Sequence, residues 1–83
     1  MKILKFYAPT CMPCKMVGKM LDSLENVEVI AIDATEDIAK VDEYNVCNTP
    51  TLVFLNEKNE EVDRIAGMTT LKKIQEVLEN SAC

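Results

Sequence analysis

Residues 3–8 (Ile-Leu-Lys-Phe-Tyr-Ala) form a short, largely apolar run that Pro9 ends, the pattern of a buried strand. Val17, Met20, Leu21 and Leu24 then recur at i, i+3, i+4 and i+7, with Lys15, Lys19, Asp22, Ser23 and Glu25 elsewhere around the turn, which describes an amphipathic helix. Residues 27–32 (Val-Glu-Val-Ile-Ala-Ile) are again strand-length and β-branched. A strand, a helix and a strand in this order and of these sizes imply a parallel pair joined by a right-handed crossover. That single unit commits the chain to an α/β sheet.

Thr35 followed by Glu36 and Asp37 suggests an N-cap with acids in the first turn, opening a short helix through Ile38, Val41 and Tyr44. Residues 51–55 and 62–65 are two further strands, and the polar stretch 56–60 between them makes a hairpin. Beyond Gly67, Thr69 or Thr70 caps a last helix whose apolar stripe is Leu71, Ile74, Val77 and Leu78. The expected fold is α/β, in the order β-α-β-α-β-β-α, with a four-stranded mixed sheet and helices on both faces. At 83 residues and 48% apolar content the chain can fill one core layer on each side of the sheet, and residues 1–83 are expected to be a single domain.

Nine basic against fourteen acidic residues give a net charge of −5, and without a Lys/Arg stripe nucleic acid is not an expected partner. The absence of histidine excludes Cys-His, Ser-His-Asp and His-metal sites, and two glycines leave no glycine-rich phosphate loop. Lys5 and Pro9 interrupt the opening apolar run, so an export signal is not expected, and no stretch approaches the ~20 apolar residues of a membrane span. Four cysteines in 83 residues fall below the roughly 8–10% of a disulfide scaffold, which favours redox or metal chemistry in a reducing cytoplasm. A cytoplasmic monomer is expected.

Cys11-Met12-Pro13-Cys14 lies between the first strand and the start of the first helix. Unpaired N–H groups and about half a positive charge at the helix start favour a thiolate at Cys11. Pro13 orders the loop where a first helical turn needs no N–H, and Cys14, one turn inward, is close enough to attack a mixed disulfide formed at Cys11. Spacing alone is equally half of a zinc site. The position after a strand in a βαβ unit is what favours redox exchange. Cys47 and Cys83 lie too far along the chain, with no second C-x-x-C, to complete a Cys₄ site. No metal and no cofactor are therefore expected. Cys47 is a small half-buried side chain or an extra thiol, and Cys83 an exposed terminal thiol. Met16, Met20 and Tyr44 are expected in the core, whereas Met12, between the cysteines, is a flexible apolar contact at the surface.

Residues 6–15, Phe-Tyr-Ala-Pro-Thr-Cys-Met-Pro-Cys-Lys, and 49–54, Thr-Pro-Thr-Leu-Val-Phe, together resemble the two motifs of the thioredoxin superfamily, and the chain resembles its compact thioredoxin-like and glutaredoxin-like members. The resemblance implies that Pro50 is cis and lies opposite Cys11. It also implies that the Thr49 backbone pairs with an extended substrate segment, and that Gly67 completes a groove with Thr10, Met12 and Pro13. Three positions depart from the pattern: Thr10 replaces a tryptophan, Met12 a glycine, and Lys5 a buried aspartate. For Lys5 two readings stand. Its ammonium points toward Cys14 and makes the couple more oxidising, or it snorkels to a sheet edge.

The function expected is that of a thiol-disulfide oxidoreductase reducing protein disulfides, with Cys11 as nucleophile and Cys14 as resolving thiol. A thioredoxin-reductase-type or glutathione reductant would recharge the pair. The alternatives are a glutaredoxin-like, glutathione-dependent enzyme, disfavoured by Ala8 and Gly67-Met68, and a non-catalytic zinc or binding domain.

Overall fold

A computed structural model describes residues 1–25 and 27–81; Cys83 lies outside the described residues. Strand β1 (Lys2–Tyr7) is followed by helix α1 (Met12–Asp22), strand β2 (Glu28–Asp33), helix α2 (Ile38–Tyr44), strands β3 (Thr51–Leu55) and β4 (Glu61–Ala66), and helix α3 (Leu71–Ser81). The sheet order is β2-β1-β3-β4. β1 runs parallel to β2, from Lys2 opposite Glu28 to Tyr7 opposite Asp33, and antiparallel to β3, from Lys2 opposite Leu55 to Phe6 opposite Thr51. β3 and β4 form the antiparallel hairpin. This is the mixed four-stranded sheet expected, with strand ends moved by a residue.

Alternation along the strands sorts the core into two layers. Ile3, Leu52 and Phe54 face Val17 and Leu21 of α1 and Ile74 and Val77 of α3. On the opposite face Leu4, Phe6, Ile32, Val53 and Leu55 pack with Val41, Tyr44 and Val46. All five residues of β3 are buried, as befits an interior strand covered on both sides.

The start of α2 differs from expectation. Thr35 donates both its N–H and its hydroxyl to Asp33 Oδ1, at 2.9 and 2.6 Å. Its oxygen is thus held in a turn, and the cap passes to Asp37, whose Oδ1 accepts the Lys40 N–H at 3.1 Å. Asn45 ends this helix in the left-handed region at φ +53°, which asparagine tolerates. No residue of α2 is fully buried; it is held by its Val41 and Tyr44 and by Phe6, whose ring lies 6.0 Å from that of Tyr44 at 60°. Of the two candidate caps of α3, Thr70 accepts the Lys73 N–H at 3.2 Å.

Candidate active site

The chain leaves β1 through a turn closed by the Cys11 N–H and the Ala8 carbonyl, 3.0 Å apart. Cys11 is the N-cap of α1, extended at φ −86° and ψ 107°, and its sulfur accepts the Cys14 N–H at 3.3 Å. A sulfur takes the part usually played by a capping oxygen. Pro13 falls in the first turn, where an N–H has no helical acceptor.

Cys11 and Cys14 are joined as a disulfide, their Cα atoms 5.3 Å apart. Their burial is unequal, since Cys14 is 3% exposed beneath the helix whereas Cys11 is half-buried at its mouth. On reduction, a thiolate at Cys11 would sit beside the unpaired N–H groups and the positive end of the helix dipole.

The sheet register brings the other candidates to this end of the molecule. Phe6 pairs with Thr51 and Thr51 with Ala66. The segments after β1, before β3 and after β4 therefore leave the sheet together, carrying Thr10, Met12 and Pro13, then Thr49 and Pro50, then Gly67. The Thr49-Pro50 bond is cis and Pro50 is buried. Thr51 Oγ1 donates to the Asn48 carbonyl at 2.7 Å, and the Gly67 N–H donates to the Pro50 carbonyl at 2.7 Å. Asn48 and Thr51, which brace this loop, were not singled out from sequence; a hydroxyl directly after the proline was the available signal.

Met12, Met16 and Met68 are 67%, 55% and 49% exposed. Met16 thus departs from the core position expected of it, because its end of α1 carries the site, while Met20 packs against the core at the other end. Cys47 is exposed rather than half-buried, its thiol 3.7 Å from the Asn45 carbonyl. Among the described residues no three His, Cys, Asp or Glu side chains gather in a way that could hold a metal, and no helix is long and apolar enough to cross a membrane.

The family model for thioredoxin matches residues 1–80. The prophage-derived thioredoxin-like protein YosR of Bacillus subtilis is 31% identical over 67 residues, covering 81% of this chain and 82% of that protein. Thioredoxin of the same bacterium is 31% identical over 78 residues, covering 88% and 74%. Among solved structures, a mutant thioredoxin from Halobacterium salinarum superposes with a TM-score of 0.88 at 27% identity, over 95% of this chain and 72% of that one. The germline-specific thioredoxin Deadhead of the fruit fly gives 0.82 at 28%, over 95% and 78%.

Proposed function

The chain belongs to the thioredoxin family, and from that premise we propose how its cysteine pair works as a thiol-disulfide oxidoreductase. The Cys11 thiolate attacks one sulfur of a protein disulfide, forming a mixed disulfide, and the other substrate sulfur leaves as a thiolate that takes a proton from solvent. The Cys14 thiol then gives up its proton and attacks Cys11 Sγ. The mixed disulfide breaks, the Cys11-to-Cys14 bond forms, and the second substrate thiol departs. Two electrons have passed from the pair to the substrate.

The observation that carries the division of roles is the unequal burial of two sulfurs on one helical turn, Cys11 capping α1 and Cys14 beneath it. Around them Thr10, Met12, Pro13, Thr49, Pro50 and Gly67 form the groove. The Thr49 peptide groups, two residues ahead of the ladder that begins at Thr51, pair with an extended substrate segment, and exposed Met12 supplies adaptable apolar contact. The partners are disulfide-bearing proteins and a thioredoxin-reductase-type or glutathione reductant. The protein works as a monomer in the cytoplasm, where such reductants keep the pair in its dithiol form.

Reciprocal serine variants test this. Cys14→Ser is expected to accumulate a mixed disulfide through Cys11, seen as an added mass that dithiothreitol removes, and Cys11→Ser is expected to lose disulfide reduction altogether. An adduct on Cys14 in Cys11→Ser, formed as readily as the one on Cys11, would reverse the assignment.

A further inference from the structure

On the face of the sheet that α1 and α3 cover, β1 directs Ile3, Lys5 and Tyr7 inward. Ile3 is fully buried and Lys5 half-buried. β1 is an interior strand, flanked by β2 and β3, so a lysine on it has no sheet edge beside it by which to reach water. Its ammonium lies 5.5 Å from the centroid of the Tyr7 ring and 3.1 Å from the point where a Cβ on Gly18 would stand. Gly18 is therefore a notch in α1 that admits the end of this side chain. It stands one turn after Cys14 on the same helix face, where side chains at i and i+4 are about 5–6 Å apart at Cβ, so the Lys5 charge comes within about 9 Å of the Cys14 Cβ.

No carboxylate among the described residues is paired with this charge. Among the described residues the ion pairs are Lys2 with Glu28, Lys40 with Glu43 and Arg64 with Glu61, and none involves Lys5. Across the ladder it faces Ala31 and Leu52. The nearest acid by register is Asp33, opposite Tyr7, and Asp33 is bonded to Thr35. Lys15 and Lys19 of α1 are exposed and screened by solvent. Lys5, by contrast, is half-buried and lies one helical turn from Cys14, a residue 3% exposed, where charges interact more strongly than at the surface.

We propose that Lys5 is a positioning residue for the redox equilibrium, its ammonium stabilising the thiolate produced when the Cys11-to-Cys14 bond is reduced and so making the couple more oxidising. The inference rests on that pair being a redox couple. In the equilibrium that reads it, two glutathione thiols give up two electrons and two protons as they join in glutathione disulfide. The Cys11-to-Cys14 bond accepts the electrons and becomes a thiol and a thiolate, the proton of the latter passing to solvent. The thiolate is that of Cys11, which shares the first turn of α1 with Cys14, and a cation one turn from Cys14 lowers the free energy of the reduced side alone.

The test equilibrates wild type, Lys5→Met, Lys5→Gln and Lys5→Arg in glutathione buffers at fixed pH, then traps thiols by alkylation and counts them by mass. Both neutral variants are expected to raise the ratio of disulfide to dithiol about tenfold at a given buffer, a couple about 30 mV more reducing, with Lys5→Arg staying within about twofold of wild type. The same potential for all four proteins, or an equal shift in Lys5→Arg and Lys5→Met, would overturn the assignment, because charge would then not be the cause. A wild-type pair that never exchanges with glutathione would instead remove the redox reading itself, and this inference with it.

Discussion

The Gly67 N–H reaches the Pro50 carbonyl at 2.7 Å, carrying the β3–β4 pairing one step past Thr51 and Ala66 and tying the end of one strand to the loop that enters the other. Gly67 makes this bond at φ +89°, with nothing within 4 Å of where a Cβ would stand. The obstacle to a side chain here is backbone conformation and not space. Gly67→Ala is expected to lose about 1–2 kcal/mol of stability, measured as a lower urea midpoint at unchanged slope. An unaltered midpoint would show that the loop relaxes freely and does not hold Pro50.

Burial separates two apolar side chains of comparable size. Phe54 is fully buried between α1 and α3, whereas Met16 is 55% exposed. Phe54→Ala should cost about 3–5 kcal/mol through lost transfer energy and a cavity, a large part of the 5–15 kcal/mol typical of a small domain. Met16→Ala should stay within about 0.5 kcal/mol. Thermal melts of the two variants decide the matter, and a large loss for Met16→Ala would place it back in the core.

All seven elements were legible in the sequence, because strands covered on both faces leave short apolar runs at residues 3–8 and 51–55 and helices packed on the sheet leave a stripe in Val17, Leu21, Ile74 and Val77. Expectation failed where an outcome depends on competition between side chains. Thr35 is a good cap in isolation, but Asp33 takes its hydroxyl first. Met16 and Met20 carry the same periodic signal, yet only Met20 finds a hydrophobic cluster beside it. The cysteine pair was legible because strand end, cap and proline are all local. The position of the Lys5 ammonium was not, since it depends on which helix covers that face of β1 and on the missing side chain of Gly18.

Arg64 donates from Nε and Nη2 to both carboxylate oxygens of Glu61, at 2.6 and 2.7 Å. These hydrogen bonds hold the Glu61 carboxyl below the usual glutamate range, against a smaller opposing effect of burial. A depressed folded pKa adds stability above the unfolded value, about 4.3, and that stability is lost as pH falls through the folded one. The pair is partly solvated, its side chains 33% and 32% exposed, so Glu61→Gln should cost at most about 1 kcal/mol at pH 7. The gap from wild type should narrow as pH drops below about 4 and also in concentrated salt. A gap constant from pH 7 to pH 3 would mean that packing, not charge, accounts for it.

Among the described cysteines of the reduced protein, two are within reach of a small electrophile, and only one of these begins a helix. Cys11 caps α1, Cys47 is exposed on the segment leading to Pro50, and Cys14 is buried. The thiolate is the reactive species, and a helix N-terminus next to a thiol raises its share of thiolate at a given pH. At pH 6.5, brief treatment of the dithiol form with a limiting amount of iodoacetamide should label Cys11 roughly tenfold faster than Cys47, an advantage of about 1.4 kcal/mol that lies near the upper end of helix-terminus effects. Cys14 should be labelled last. Peptide mapping after a time course gives the rates of Cys11, Cys47 and Cys14 directly. Equal rates for Cys11 and Cys47 at pH 6.5 would show that the start of α1 confers no activation, and the attacking role assigned to Cys11 would then rest on access alone.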